Sequence, residues 1–420
     1  MSEASTTTTG AAVSAAAPYS GPPDYRVVGR HAVLPAPSHD ETARFNFLTH
    51  ANRHLAQRVL PGVRTAFETR VEPRHRAETQ RDFSDRHEVR RALLKDPAFQ
   101  VWSALRRNTM ESRQQAGRSM VLRQSEALSR AVGALVADDP RLELDPSLPM
   151  PRYVAAIDHH CMPGSYYTER FPSDVGAAAN YDAGLFITTG GALGRYTDGA
   201  GWGLVQWMRD REPDFRPRRI LDIGCGLGHN VLPIAMAFPD AEVVGVDVAA
   251  PMLRYGLARA KSLGVSNVRF VQGNAESMPQ FADGSFDWIQ STMFLHETSY
   301  PALRAIFREN YRLLAPGGLV LHAEQPQYTS EMPLYEQALR DWDAFYNNEP
   351  FWTRLHEISL DEYLIAAGFA ADQLVHGDVA AIVDPEKIPE ASGATSEDYG
   401  RRAAWHITGA RKPRAKERTP

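Results

Sequence analysis

Apolar residues recur along this chain with two different periods, and the change of period divides it. Between Asp40 and about Val136 they come three or four positions apart. Phe45, Leu48, Leu55 and Val59 fall close to helical spacing within residues 42–60, and Phe99, Trp102, Leu105 and Met110 fall near one face farther on. Asp96-Pro97 starts that later segment, an N-cap acid followed by a proline in the first turn, where a missing N–H is no loss. Two or three helices are expected across residues 86–131. Beyond about residue 216, short apolar runs take over, at 219–223, 242–247, 267–272, 286–292, 319–325, near 372–378 and at 403–412. Helical stretches separate most of them. Pro233, Pro251 and Pro301 open three of these helices, and Leu303, Ile306, Phe307 and Leu314 form a buried stripe on one. Strands alternating with helices predict an α/β fold.

Between the two patterns, residues 137–152 are rich in proline and acid and read as a linker. The Ala/Thr/Ser/Gly-biased residues 1–23 read as a disordered lead and 24–150 as a helical N-terminal domain. Residues 151–215 read as a lid or connecting helical segment, 216–411 as the α/β domain, and 412–420 as a basic tail. An aromatic-rich insert, 327–356, follows the fifth strand of that domain, and 382–400 reads as a loop between its last two strands.

The candidate chemistry gathers at 219–248. An apolar run ending in Asp222 and Ile223 breaks into Gly224-Cys225-Gly226-Leu227-Gly228, and the next strand stops at Asp247. Glycines at alternating positions admit positive φ and let a ligand approach without meeting a Cβ. A turn of this kind leads into a helix N-terminus, whose free N–H groups favour an anionic group. An acid one strand over can take two ribose hydroxyls. Dinucleotide sites carry GxGxxG; the order here, GxGxG behind Asp222 and ahead of Asp247, resembles the class I S-adenosylmethionine-dependent methyltransferases. FDWIQST at 286–292 followed by LLAPGG at 313–318 extends the resemblance across roughly the C-terminal half, which looks like the ubiquinone/menaquinone C-methyltransferases and related natural-product enzymes.

The resemblance implies a Rossmann-like, doubly wound sheet of seven strands, the last running antiparallel between the fifth and sixth. It implies S-adenosyl-L-methionine as cofactor, with contacts from Asp222, Gly224, Cys225, Gly226, Gly228, Asp247, Val248, Met252, Asn274, Ala275, Glu276 and Thr292. Asn274 stands where the family commonly has an acid; an amide still offers a donor and an acceptor to the adenine edge. Methyl transfer needs donor and acceptor held close and in line. It needs a base where the acceptor is a hydroxyl, an ammonium or an acidic C–H. His296 is the first candidate because it follows a strand at the carboxyl edge of the sheet, with Glu297, Glu324 and then His322 behind it. Tyr166 and Tyr167 are candidate substrate or cofactor walls; the resemblance implies that the segment before the first strand closes over the cofactor, which adds Tyr181, a candidate for the substrate too, with Thr188 and Thr189. Tyr335, Trp342 and Trp352 of the insert suit an aromatic or hydrophobic small molecule, and suit an inter-subunit interface nearly as well.

Composition narrows the alternatives. Residues 86–131 hold ten Arg or Lys against four acids, so RNA or protein methylation with these helices as grip is the competing function. Against it, the aromatics of this segment sit at core-like positions, and the whole chain of 420 residues carries a net charge of −5. A binding module that keeps the fold without the reaction is a third reading, opposed by the presence of all three loop glycines and Asp247. Asp158-His159-His160-Cys161 has metal-ligand residue types, but adjacent side chains point apart, and no metal is expected. Cys161 and Cys225 are the only cysteines, which suits a reducing cytosol. No apolar run approaches a membrane span, and the N-terminus does not read as a secretory signal. The helical N-terminal part is a candidate homodimer arm, and the expected partner is a small-molecule acceptor.

Overall fold

The structure is a computed structural model, and it describes residues 21–383 and 404–414. Most of the expected lead, most of the 382–400 loop and residues 415–420 of the tail lie outside the described residues. The sheet has eight strands: β1 (Leu142–Glu143), β2 (Arg219–Ile223), β3 (Glu242–Asp247), β4 (Val268–Gln272), β5 (Phe286–Thr292), β6 (Leu314–Glu324), β7 (Leu374–Ala380) and β8 (Ala404–Arg411). Their spatial order is β1-β4-β3-β2-β5-β6-β8-β7. All neighbours from β1 to β6 pair in parallel, and β8 runs antiparallel between β6 and β7. The chain reverses direction across the sheet between β2 and β5, so a crevice opens at the carboxyl ends of those strands, where open α/β sheets bind ligands. Both faces are covered. Ile220, Val243, Phe270 and Trp288 point to one buried layer, and Leu221, Val244, Val271 and Ile289 to the other. Two buried faces explain why these strands read as continuous apolar runs rather than alternating ones.

Seven strands were expected; the eighth, β1, comes from the stretch read as a linker. It is only two residues long, too short to leave a periodic signal. Polar contacts fix it to the sheet edge: Phe270 N donates to Arg141 O at 2.7 Å, and Asp139 holds both Arg141 and Lys261 at 2.8 Å.

Residues 86–131 hold two helices, within the expected two or three: Arg86–Leu93 and the 40-residue Pro97–Val136. Gly117 does not break it, because a mid-helix glycine costs only about 1 kcal/mol. It also has a packing reason: a Cβ there would lie 2.2 Å from Asn180 Oδ1. Before it, helix His39–His54 continues through wide turns at Leu55–Val59 and Phe67–Val71 as far as Thr79. Those wide turns precede Pro61 and Pro73, whose rings would otherwise strike the carbonyls four residues back.

Part of the basic excess of 86–131 is met by acids outside the segment, two of them in the insert. Arg86 binds Asp341 at 2.8 Å, Arg106 binds Asp343 at 3.1 Å, and Arg123 binds Glu41 at 2.6 Å. Between the two segments Trp342 is fully buried, its indole N–H donating to Ser103 Oγ at 2.7 Å and its ring against Trp102. Among the described residues no helix is long and apolar enough to cross a membrane.

Candidate active site

The glycine loop closes the end of β2. Gly224, Gly226 and Gly228 have φ of +67°, +52° and +94°, in the region that favours glycine. A Cβ on Gly224 would lie 2.2 Å from the ring of Phe294, so this position also needs a bare backbone for packing. A Cβ on Gly226 would meet nothing within 4 Å: it would project into open space at the mouth of the sheet. Asp247, at the tip of β3, accepts from Gly226 N through Oδ2 and from Ala249 N through Oδ1, each at 2.9 Å. Burial pushes its carboxyl up to about 6, with Glu297 adding to the effect and the backbone donors opposing it. Asp222 is buried on the loop floor, and its Oδ2 has no hydrogen-bond partner. Burial, with Asp247 beside it, raises its pKa well above the carboxylate range. The loop is thus a cradle with room for a ligand's backbone side, an unserved buried acceptor and two adjacent carboxyls. Such a cradle fits a nucleoside that brings hydroxyl donors and positive charge, as S-adenosylmethionine does.

Beside the cradle, β5 ends in a single turn, Leu295–Glu297, that delivers His296. His296 is 3% exposed and its Nδ1 lies 2.8 Å from Glu324 Oε2, at the end of β6. Glu324 is itself fixed by two backbone donors, Phe294 N at 2.7 Å and Leu295 N at 2.6 Å, both onto Oε1. The ring stands edge-on to Trp352 with centroids 4.5 Å apart. Burial pulls its pKa down, but Glu324, Glu349 and Glu297 outweigh it and leave the ring at about 9. Glu297 turns the other way, accepting from Tyr166 OH at 2.7 Å and facing His160 Nε2 at 3.3 Å. His160 Nδ1 reaches Glu349 Oε1 at 2.8 Å. Tyr181 meets Tyr166 edge-on and lies over His229.

The structure therefore gathers Asp222, the three glycines, Asp247, His296, Glu297, Glu324, Tyr166, Tyr181 and Trp352 at the carboxyl edge of β2, β3, β5 and β6. It sets several other candidates apart. Cys225 points its thiol into the core towards Gly245, leaving only its backbone at the loop. Asn274 is engaged in its own turn, accepting from Glu276 N and donating to Glu276 Oε1, which also accepts from Tyr153 OH. Ala275 and Met252 are buried in packing clusters, Val248 O is held by Gln272, and Thr292 Oγ1 donates to Gln290. Tyr167 donates to Ala155 O at 3.4 Å instead of lining the chamber. Tyr335 and Trp342 belong to the core shared with the N-terminal helices, where Tyr335 packs on Phe67. His322 lies wholly inside the sheet with Ser291 and Asn310, and burial lowers its pKa to about 3, so it is no base for the chamber.

Two features went unread in the sequence. Asp182 is a buried hub that holds His31 Nε2, His229 Nε2 and Tyr255 OH, each at 2.8 Å, tying the N-terminal segment and lid to the glycine loop. Arg113 is buried beneath the lid; its Nε donates to Thr188 Oγ1 at 3.0 Å, and its Nη1 has no hydrogen-bond partner. Gly184 makes room for it, since a Cβ there would lie 2.9 Å from the guanidinium. Asp182 carried one signal, an acid on an otherwise largely apolar helix; Arg113 sits in the polar stretch 106–118 and carried none.

Comparison with known proteins bears on the sheet half. Residues 220–318 match the family described as "Methyltransferase domain". The demethylmenaquinone methyltransferase of Lactococcus lactis is 34% identical over 36% of this chain and 58% of its own length. The uncharacterised methyltransferase YcgJ of Bacillus subtilis is 35% identical over 38% of this chain and 58% of its own. The crystal structure of YcgJ covers 50% of this chain and 98% of its own, at 25% identity and a TM-score of 0.34. This chain thus spans somewhat more than half the length of the curated relatives it matches, and the N-terminal helices lie outside the family match.

Proposed function

The chain belongs to the class I S-adenosylmethionine-dependent methyltransferases, and from that premise we propose that it methylates a small organic acceptor by direct in-line displacement, with His296 as general base. The observation that carries the reading is the buried His296–Glu324 pair set beside the glycine cradle. Bound S-adenosylmethionine supplies a methyl group on a sulfonium, an electrophile open to any lone pair placed opposite the sulfur. Gly226 leaves space for it, Asp247 is the acceptor for ribose hydroxyls, and Asp222 offers its unserved oxygen to a positive group. Glu324, fixed by two backbone N–H groups, holds His296 by Nδ1, so Nε2 is the atom that takes the acceptor's proton. Glu324, Glu349 and Glu297 raise the ring's pKa to about 9, so His296 must lose its proton before it acts, and the neutral ring is then a stronger base than a free imidazole.

Trp352, Tyr166 and Tyr181 wall the acceptor space, and the lid over it suits a small molecule better than a folded macromolecule. The pairing of Arg86, Arg106 and Arg123 with acids removes much of the charge an RNA grip would use. A homodimer through the N-terminal helices belongs to the same proposal: exposed Phe47 and Leu105 line an open groove there. A sedimentation measurement giving a monomer at micromolar concentration would remove it. The two free thiols suit a reducing cytosol.

The test is to incubate the protein with labelled cofactor and metabolite extract and look for a compound that gains one methyl. His296→Ala should abolish that transfer while binding of S-adenosylhomocysteine persists; transfer at the wild-type rate would exclude His296 as base.

A further inference from the structure

His160, Glu297 and Glu349 come from three separate segments: the lid turn, the turn after β5 and the insert. Their ligand atoms all lie within 4.8 Å of one another. The tetrapeptide Asp158–Cys161 cannot close on one ion by itself, and the fold does not ask it to. His160 alone of the four joins the two glutamates; Asp158 Oδ1 accepts from Gly164 N, His159 Nδ1 pairs with Ser165 Oγ, and Cys161 Sγ faces Tyr346 O.

The decisive residue is Glu349. It is 0% exposed, and neither carboxylate oxygen makes a hydrogen bond of normal geometry. Its one near neighbour is His160 Nδ1, at 2.8 Å from Oε1. A buried carboxylate costs several kcal/mol unless a positive charge meets it; a protonated His160 does so in the empty site, and a bound cation would replace that proton. Glu297 brings a second carboxylate to the same imidazole, steadied from behind by Tyr166 OH at 2.7 Å. From these contacts we propose that His160, Glu297 and Glu349 form a binding site for one divalent cation of the first transition row.

Ligands placed about 2.1 Å from an ion stand roughly 3 Å apart, so atoms now within 4.8 Å must draw in, and His160, which meets Glu349 through Nδ1 and Glu297 through Nε2, must present one of these nitrogens to the ion. One imidazole and two carboxylates are a donor set for Mn²⁺, Fe²⁺, Co²⁺ or Zn²⁺; the imidazole disfavours Mg²⁺ and Ca²⁺. The ligating imidazole gives its proton to solvent, and one divalent ion with two carboxylates and a neutral imidazole then makes a neutral site. Three protein ligands leave coordination positions open. The role assigned to them rests on the methyltransferase reading: they face the space shared with Tyr166 and His296, where an acceptor oxygen bound to the ion would lose its proton more readily.

The site is tested with Co²⁺ alone, titrated into the full chain after chelator treatment and dialysis, with visible absorption and metal analysis as readouts. One Co²⁺ per chain is expected, with Glu349→Gln and His160→Gln each weakening it by at least about tenfold. Calorimetry with S-adenosylhomocysteine, run on the same samples, reports on the cradle, which neither substitution touches. A wild-type chain that takes up no stoichiometric Co²⁺, or variants that bind it as tightly as wild type, would overturn the site. Stoichiometric Co²⁺ with no S-adenosylhomocysteine binding would leave the metal site standing and remove the methyltransferase reading. His160→Gln keeps the test decisive if Glu349→Gln fails to fold.

Discussion

Replacing Asp247 by Asn separates ligand recognition from folding at the cradle. The wild-type carboxyl, pushed up to about 6 by burial, is ionised at neutral pH at a cost of about 3 kcal/mol relative to an ordinary aspartate. Asn removes that cost. It also turns an NH₂ towards either Gly226 N–H or Ala249 N–H, leaving one buried donor unserved at about 1–3 kcal/mol. The two changes roughly cancel, so the melting temperature should move little. Binding should not escape so lightly. An ionised acceptor for two hydroxyls is worth about 3 kcal/mol over a neutral one, so S-adenosylhomocysteine should bind Asp247→Asn on the order of 100-fold more weakly. The pH dependence supplies an internal check. The ligand favours the ionised form, and the unliganded carboxyl has a raised pKa. Affinity is therefore full above about pH 6 and is lost as pH falls through that value, reaching about tenfold weaker by pH 5. Asn carries no such proton, so its profile should lack the loss that Asp247 causes below about pH 6. Calorimetry across that range decides the matter: a flat wild-type profile, or an Asn variant that binds like wild type, would refute the reasoning.

Four further substitutions probe the glycine loop, the His296 pair and the insert. Gly226→Ala should fold, at about 1 kcal/mol for its positive φ, yet weaken S-adenosylhomocysteine binding because its Cβ enters the ligand's space; Gly224→Ala should instead lower the melting temperature sharply by striking Phe294. If the two variants behaved alike in melting and in calorimetry, the assigned geometry of the loop would be wrong. Glu324→Gln should cut kcat about 100-fold, the value of a charge-assisted hydrogen bond of ~3 kcal/mol, with cofactor affinity retained; an unchanged kcat would discard Glu324 as the group that orients His296. Trp342→Ala should cost about 3–5 kcal/mol of stability in denaturant unfolding while cofactor binding persists at low denaturant, and a loss of under 1 kcal/mol would show that the insert does not depend on this contact.

How far the sequence reached depends on how local each feature is. The glycine loop and Asp247 were legible because φ requirements and strand ends act within a few residues and leave a fixed spacing. His296 was legible because its strand ends beside it. The partner that orients it, Glu324, was visible only as a polar residue at the end of another strand, and its two backbone contacts could not be read. Tyr335 and Trp342 misled for a related reason: an aromatic cluster in an insert looks the same whether it faces a ligand or the Phe67 and Trp102 side of another helix. The 40-residue helix Pro97–Val136 tolerates Gly117 in its interior because the missing Cβ leaves a seat for Asn180. Asp182 could not be seen at all. Its three partners lie 151, 47 and 73 positions away, and a single acid on an apolar helix carries no sign of them.

The same contrast bears on how acceptor choice is built. The cradle is assembled from consecutive segments and has little freedom to vary without losing the ligand. The acceptor space proposed above would take Tyr166 from the lid, Glu297 from the sheet edge, and Trp352 and Glu349 from the insert, and the insert is held in turn by Arg86 and Arg106 of the N-terminal helices. A change in any of these segments moves a wall of that space without touching Gly226 or Asp247. Acceptor selectivity should therefore be altered by exchanging residues at Trp352 or Tyr166, whereas exchanges in the glycine loop should change how tightly the cofactor is held. Turnover with competing acceptors, measured beside cofactor affinity for each variant, separates the two effects. A Trp352 variant that loses cofactor affinity but keeps its acceptor preference would show that the two halves of the site are not independent.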